Sequence, residues 1–332
     1  MKPAPRTRAC LAVALALPVT LAFVRPPGND DDYIGEAATI GNLTFRLDVE
    51  RGTAFVATLY GLETFDITDP TAPQAGGAVA IGSTVYDVEA IGDYCYVADT
   101  AAGVLVYDIS DTLDPQYLGT VTAGGNDASG LFADDDYLFV FRLGDGMKIL
   151  DRAADPVDPP QLGSFSDSVY HNDGMRVGDL LYVADGVNGP TVFDVSDPAA
   201  PQPLSEGGQA SFAVDVLGST LFTAAPTYGL ESYDVSPPLP AAIAPLDDWE
   251  SNALGFSLNL DVEALTNKHG DDFVLLADQE LGCVAFDAND PADLGDPIET
   301  FGESIGANAI HYHRGLLLVA SASNGLVRIY VP

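Results

Sequence analysis

The stretch Gly103-Val-Leu-Val-Tyr-Asp108-Ile-Ser-Asp111 decides the fold: a glycine, an apolar strand and an aspartate-rich corner. Its spacing returns along the chain from glycines at positions 61, 103, 146, 189, 229, 282 and 325. Six copies place an aspartate five positions after the glycine, and the seventh has Tyr330 there. A period near forty residues with only short strands inside it is typical of propeller blades and not of helical solenoids.

Each unit reads as four short strands separated by turn residues. In the second unit these strands are Val85–Ile91, Tyr94–Ala98, Val104–Tyr107 and Gln116–Val121. They are rich in β-branched and aromatic residues and are bounded by glycine, proline and aspartate. The repeat glycine favours a hairpin with positive φ, and the Asp-x-Ser/Thr-Asp-Pro corner favours side-chain bonds to nearby backbone N–H groups. The sequence therefore predicts an all-β, seven-bladed propeller of four-stranded antiparallel blades.

The last unit needs a strand from elsewhere in the chain. Its three strands, at about Ala309–Tyr312, Leu316–Ala320 and Leu326–Val331, are followed by the C-terminus. Tyr33–Thr39 resembles the fourth strand Tyr117–Thr122. We expect residues 33–39 to complete the last blade, because such closure removes the open sheet edges that invite aggregation.

The repeated phrase resembles the LVIVD-repeat family of bacterial and archaeal propeller proteins. The closest matches are Gly103–Asp108 with Tyr96–Asp99 upstream, and Tyr182–Pro198. The resemblance covers roughly residues 33–332 and departs from the pattern after Asp151 and at Tyr330. It implies a propeller, usually on an exported protein, and supplies no catalytic residues.

The N-terminal segment predicts export. Residues 1–24 combine a basic start with an apolar run from Ala9 to Val24, which is typical of a signal peptide and short for a spanning helix. The alternative is an uncleaved anchor. We assign residues 1–24 to the signal peptide, 25–32 to a disordered leader and 33–332 to the propeller. The expected location is periplasmic, cell-surface or extracellular.

The charge balance excludes some partners. The chain has 49 acidic and 13 basic residues, a formal net charge of −36. Such a field repels nucleic acid and anionic membranes and favours cations, cationic partners or a salty habitat. A solvated acidic surface is the favoured interpretation. Beyond the signal peptide only Cys95 and Cys283 remain, and we expect both to be buried apolar residues without a disulfide.

Acids on the first strand of several units form the main candidate site. The first strand of each blade is expected nearest the central channel, and five of these strands carry an aspartate at a matching place. Asp48, Asp87, Asp215 and Asp261 each precede a valine, and Asp173 aligns with them when the strands of Ala184 and Ala98 are matched. Converging oxygen ligands suit a hard cation such as Ca²⁺. The alternative is that each aspartate bonds backbone amides of the adjacent blade.

Four further residues are candidate ligand-binding groups. His311 and His313 alternate on the first strand of unit seven, and His171 begins the first strand of unit four, so a shared metal site across the channel mouth is one hypothesis. Packing or hydrogen bonding is the favoured alternative. Trp249 lies in the long connection Ala241–Phe256, where it could anchor a ligand or pack the loop onto a blade.

The favoured function is a non-catalytic binding or surface scaffold, stabilised by Ca²⁺ if the acid site exists. Its expected partners are a protein, a carbohydrate or a cationic ligand, and the expected state is a monomer. The alternative is a metal-dependent hydrolase or lyase at the channel mouth, with Asp87, Asp173 and Asp215 near His171 or His311. None of the familiar nucleotide, zinc-protease or nucleophile motifs occurs in the sequence.

Overall fold

The computed structural model describes residues 33–39, 43–167, 170–226, 228–250, 259–267, 269–302, 305–321 and 325–330. The predicted signal peptide (1–24) and leader (25–32) lie outside these residues. Within them the chain forms seven four-stranded antiparallel sheets, which confirms the predicted seven-bladed propeller.

The strands follow one another blade by blade. Blade 1 consists of β2 Thr44–Glu50, β3 Thr53–Thr58, β4 Gly61–Asp66 and β5 Gln74–Ala80, and blade 2 of β6 Val85–Ile91, β7 Tyr94–Asp99, β8 Gly103–Asp108 and β9 Gln116–Thr120. Blade 3 consists of β10 Ala128–Ala133, β11 Tyr137–Arg142, β12 Met147–Asp151 and β13 Gln161–Phe165, and blade 4 of β14 Asp173–Val177, β15 Leu180–Asp185, β16 Gly189–Asp194 and β17 Gln202–Glu206. Blade 5 consists of β18 Ala213–Leu217, β19 Thr220–Ala225, β20 Gly229–Asp234 and β21 Pro245–Trp249, and blade 6 of β22 Asn259–Thr266, β23 Asp272–Asp278, β24 Gly282–Asp287 and β25 Glu299–Phe301. Blade 7 consists of β26 Ala309–His313, β27 Leu316–Ala320, β28 Leu326–Tyr330 and the N-terminal β1 Gly35–Ala38.

The ring closes through the N-terminal strand, as predicted. β1 pairs antiparallel with β28, with Gly35 opposite Ile329 and Ala38 opposite Leu326. The Glu36 carboxylate also pairs with the Arg328 guanidinium at 2.7 Å. The first strands of successive blades contact one another around the ring, and β26 of the last blade contacts β2 of the first. The first strand of every blade therefore lies innermost.

The core fills the spaces between neighbouring blades. Second and third strands are the most buried elements; β3, for example, is buried over its whole length. One apolar cluster joins Phe55 and Leu62 of blade 1 to Val88, Val97 and Leu105 of blade 2. Cys95 and Cys283 are both buried free thiols. The described part of the chain contains no helix long and apolar enough to cross a membrane.

The repeat glycine is required for two reasons, of which the sequence indicates one. Gly103 has φ +86°, a conformation that glycine adopts without a steric penalty. A Cβ atom at this position would also lie 2.0 Å from the carbonyl oxygen of Gly125, where the chain returns past the hairpin. The aspartate corner behaves as predicted, because the Asp108 carboxylate accepts the N–H of Ser110 at 2.8 Å.

One local prediction is wrong. The long connection assigned to Ala241–Phe256 contains a regular strand, β21, which pairs with β20 as the outer strand of blade 5. Trp249 is the last residue of this strand, and residues 251–258 lie outside the described part of the chain.

Candidate functional site

The inner acids occupy two levels of the channel and not one. At the upper level Asp87, Asp173 and Asp261 lie opposite an alanine of the second strand. At the lower level Asp48 and Asp215 lie opposite Phe55 and Phe222. The predicted alignment is therefore wrong for Asp48 and Asp215, because it followed the Asp-Val dipeptide in these strands and not the distance from the hairpin.

The lower level also includes residues of other blades. Glu89 and Glu263 lie there, opposite Tyr96 and Leu275, and His311 lies there in blade 7, opposite Leu318. Gly130 and Ala309 take the aspartate's place at the upper level. At the upper level, the acidic positions of blades 2, 4 and 6 therefore alternate with uncharged positions in blades 3, 5 and 7.

The carboxylate of each inner aspartate accepts a backbone N–H of the next blade. Asp87 Oδ1 accepts the N–H of Val88 at 2.8 Å, and its Oδ2 accepts the N–H of Leu131 in blade 3 at 2.7 Å. Asp215 does the same with Val216 at 2.7 Å and Ala264 at 2.6 Å. In the same way, Asp48 accepts the N–H of Ala90, Asp173 that of Val214 and Asp261 that of Ile310, each in the following blade.

The two glutamates extend this pattern. Glu89 accepts the N–H of Ala133 at 3.3 Å, and Glu263 accepts the N–H of Tyr312 at 2.6 Å. At both levels, the acid accepts the N–H of the residue that lies one position past its own level in the next blade. These bonds are the alternative that the sequence left open for the acids.

A partly buried arginine lies among the upper-level carboxylates. Arg46 precedes Leu47, which pairs with Val56, so it occupies in blade 1 the level that Asp87 occupies in blade 2. Its guanidinium contacts the Asp261 carboxylate and lies 3.8 Å from that of Asp173. These carboxylates and that of Asp87 raise the pKa of Arg46 against the effect of burial. The chain therefore supplies its own cation where a metal ion was predicted.

Burial changes the ionisation of the inner acids. It raises the pKa of Asp87 to about 7, although Arg46 and two backbone bonds act in the opposite direction. It likewise raises the pKa of Asp215 to about 7 and that of Glu263 well above its usual range. The arrangement thus holds protonatable carboxyls near neutral pH, but two amide bonds already use the oxygens of each aspartate.

The structure does not bring the five predicted metal ligands together. Among the described residues, one group of three acidic or histidine side chains is close enough to share an ion, and it consists of Asp167, His171 and Asp185. None of the five inner aspartates belongs to it. A calcium role for those aspartates stays a prediction.

The predicted histidines have separate partners. His171 is fully buried and lies with its Nε2 3.3 Å from Asp167 and 3.7 Å from Asp185. The rings of His311 and His313 stack with centroids 6.2 Å apart, and His311 Nε2 lies 3.8 Å from Asp48 Oδ1. Burial and the neighbouring His311 lower the pKa of His313. Trp249 is half-buried and packs edge-to-face on Phe286 of blade 6, with ring centroids 5.0 Å apart.

One end of the ring collects exposed apolar side chains. This end, where the second strand of each blade turns into the third, is called the hairpin face. Six of the twelve large hydrophobic side chains that are exposed in the described part of the chain lie here: Tyr60, Tyr86, Leu143, Tyr170, Val187 and Tyr228. Val187 is 73% exposed and Tyr60 60%. The other six are spread over the outer strands and the opposite end, so the hairpin face is the apolar end of the molecule.

Comparison with known proteins identifies the repeat. The family model described as "LVIVD repeat" matches residues 82–123 and 177–204. The chain therefore carries LVIVD repeats on a seven-bladed propeller. A search of curated proteins finds no match.

Solved structures share the fold at low identity. The structure titled U3-55K has a TM-score of 0.72 and 13% identity over 93% of this chain and 100% of that one. The RRP9 WD40 repeats have a TM-score of 0.71 and 14% identity over 92% and 99%. The computationally designed protein Ika8 has a TM-score of 0.61 and 11% identity over 89% and 98%. At such identities the likeness establishes the propeller alone.

Sequence reasoning missed three residues of the LVIVD propeller's polar interior. Arg46 had a usable signal, since it is the one basic residue in the mostly buried strand β2. Asp185 ends the Tyr-Val-Ala-Asp phrase but was interpreted as part of the repeat. Asp167 lies in a connection with no pattern, and only the folded chain brings it to His171.

Proposed function

We propose that this protein is an exported, non-catalytic scaffold that binds a protein partner through the hairpin face. The observation that carries the proposal is the concentration of exposed aromatic and aliphatic side chains on that face, led by Tyr60, Tyr170, Val187 and Tyr228. Contiguous exposed apolar surface rimmed by polar groups is typical of interaction sites, and tyrosine is enriched at their energetic centres.

The scaffold suits this role because it is rigid where it presents the face. The hairpins that carry Tyr60, Val187 and Tyr228 project from buried second strands, and loops held on such a base are common recognition surfaces. The net charge of −36 favours a partner with basic groups around an apolar centre, because complementary charge speeds encounter and excludes acidic competitors.

Export rests on the N-terminal pattern of residues 1–24, a basic start followed by an apolar run. We expect the mature protein to begin within residues 23–33 and to be recovered outside the cytoplasm. Mass spectrometry of the protein purified from the producing cell checks this, and an intact Met1 on a cytoplasmic product would contradict it.

The contacts of the inner aspartates disfavour stabilisation by Ca²⁺. Both oxygens of Asp87 and Asp215 accept backbone amides, and Arg46 supplies positive charge at the upper level. These bonds favour a structural use of the acids. They also weigh against the channel-mouth hydrolase, since the groups it needs already have partners within the fold.

The test places a photo-crosslinking amino acid at position 187 on the hairpin face. The matched control places it at Leu204, an exposed position on the outer strand β17. In extracts of the producing organism we expect a discrete protein conjugate from position 187. The combined changes Tyr60→Ser and Tyr228→Ser should reduce this conjugate at least tenfold.

Two outcomes would overturn the proposal. Equal conjugates from positions 187 and 204 would mean that the hairpin face has no special role. A conjugate from position 187 that survives the loss of both tyrosines would show that Tyr60 and Tyr228 are not part of the binding surface. Binding to a defined glycan that the same two changes abolish would move the assignment to a carbohydrate-binding protein.

A further inference from the structure

Blade 4 contains a buried group of three side chains that the repeat does not explain. His171 is fully buried, Asp185 is 2% exposed, and the Asp167 side chain is 24% exposed. The imidazole stacks on Phe165 at a centroid distance of 6.3 Å and packs against Phe193 at 6.2 Å. Aromatic packing therefore positions the ring between the two carboxylates.

The distances in this group are long for hydrogen bonds. His171 Nε2 lies 3.3 Å from Asp167 Oδ2 and 3.7 Å from Asp185 Oδ1. A charge-assisted N–H···O bond is about 2.7–2.9 Å. Ligands about 2.1 Å from a tetrahedral metal ion are separated from one another by about 3.4 Å. The observed separations match the edges of a coordination shell better than they match an ion pair.

Two buried polar atoms of this group have no hydrogen-bond partner in the described part of the chain: Asp185 Oδ1 and His171 Nδ1. The other oxygen of Asp185 accepts weak bonds from Thr191 at 3.3 Å and Asn188 at 3.4 Å. Since an unpartnered buried carboxylate oxygen is costly, a bound ion or water molecule must satisfy it, and the nearby Asp167 carboxylate and His171 Nε2 favour an ion. Burial also raises the pKa of Asp185, and Asp167 adds to this effect.

Equivalent aspartates in other blades are used differently. Asp99 of blade 2 ends the second strand as Asp185 does, and its Oδ1 accepts the N–H groups of Ala101 at 2.8 Å and Ala102 at 2.6 Å. Asp278 of blade 6 does the same with the two corresponding amides of its hairpin. In blade 4 the hairpin forms a 3-10 turn, Gly186–Asn188, and Asp185 Oδ1 is directed towards His171 instead.

We propose that Asp167, His171 and Asp185 bind a divalent transition metal ion of the zinc type. Nε2 of the histidine and one oxygen of each aspartate supply three ligands, a donor set that suits Zn²⁺ and similar ions. A water molecule completes the shell on the side of Asp167, which reaches the surface. The ion neutralises the two carboxylates and fixes blade 4 beside Tyr170 and Val187 of the hairpin face.

The site is testable with Zn²⁺ and Co²⁺ on the full chain freed of metal by a chelator. Titration calorimetry should give one bound ion per chain, and Co²⁺ should produce the visible absorption of a four-coordinate site. Asp167→Asn removes a ligand at the surface and Asp185→Asn one in the interior, and each should weaken binding about tenfold or more. Zn²⁺ should raise the melting temperature of the unchanged chain, because an ion that binds only the folded state stabilises it.

The matched control is His313→Ala, which removes one of the two stacked channel histidines. It should leave affinity and stoichiometry unchanged. Loss of binding in this variant, with Asp167→Asn unaffected, would place the ion at the His311–His313 pair and overturn the proposal. Absence of binding, or binding that no variant alters, would also overturn it and leave an ion pair between His171 and the two aspartates. The proposal does not depend on the function assigned to the hairpin face.

Discussion

At the scale of single residues, Arg46 is the most consequential side chain in the channel. It is the counter-charge for Asp261, Asp173 and Asp87. Burial raises the pKa of Asp87 and of Asp173, and all three carboxylates accept a backbone N–H of the next blade. Buried charge of one sign is tolerated only where an opposite charge lies close to it. The acid-rich inner wall therefore depends on this one guanidinium.

Replacing Arg46 by methionine keeps an unbranched apolar side chain and removes the charged guanidinium. We expect the free energy of unfolding to fall by about 3–5 kcal/mol at pH 8, because the buried carboxylates lose their partner. The loss should be smaller at pH 5, where the acids can be protonated. Denaturant unfolding measures both values.

Two variants make that prediction specific. Arg51→Met removes an exposed arginine that pairs with Asp93, and should cost no more than about 1 kcal/mol. Adding Asp261→Asn to Arg46→Met should restore part of the lost stability. An Arg46→Met protein as stable as the Arg51→Met protein would show that the guanidinium does not hold the channel together.

Asp87 gives a prediction about pH. Its folded-state pKa of about 7 lies above that of an unfolded aspartate, so between about pH 4 and 7 the unfolded chain releases a proton that the folded chain keeps. Stability from this group is therefore greatest at low pH and falls as pH rises to about 7, by up to about 1.4 kcal/mol per pH unit.

The variant Asp87→Asn should show a shallower fall of unfolding free energy between pH 5 and 7 than the unchanged chain. Asp290→Asn, at an exposed corner, is the control for the general effect of removing one acid. Identical slopes for the two variants would mean that Asp87 ionises as an ordinary surface acid.

At the scale of elements, the glycine at the start of a third strand lets the chain that leaves the fourth strand pass close by. Gly103→Ala places a methyl group 2.0 Å from the Gly125 carbonyl oxygen and also strains a positive φ. We expect a loss of about 2 kcal/mol or more, measured by denaturant unfolding.

Gly119 in β9 is the matched control for Gly103. A Cβ atom there would meet nothing within 4 Å, so Gly119→Ala should change stability by less than about 0.5 kcal/mol. Comparable losses at both glycines would mean that neither the close approach nor the backbone conformation limits the hairpin.

The sequence predicted the elements well because each has a local cause. Glycine spacing, apolar alternation and aspartate corners fixed the strands, their order and the closing β1, since neighbouring residues decide these features. The levels of Asp48 and Asp215 could not be predicted, because strand pairing and not the dipeptide sets them. The Asp167–His171–Asp185 group could not be predicted either, since the connection before β14 supplies Asp167 and His171 and the end of β15 supplies Asp185.

At the scale of the whole molecule, the role of an acidic residue depends on where it lies in the propeller. Inner carboxylates bond amides from blade to blade around much of the ring, and corner carboxylates such as Asp108 bond their own turns. The hairpin face carries six of the large apolar side chains that are exposed in the described part of the chain. We therefore propose that the channel acids hold neighbouring blades together and that binding takes place at the hairpin face.

The most direct test of that claim is the melting temperature of the full chain in EDTA, in millimolar Ca²⁺, and in Mg²⁺ and NaCl at matched ionic strength, with the double variant Asp87→Asn, Asp215→Asn alongside. If the channel acids are structural, Ca²⁺ will raise the melting temperature no more than Mg²⁺ does, and the small response will be the same in the variant. A rise that only Ca²⁺ produces and that the variant loses would contradict the account and make the channel a calcium site.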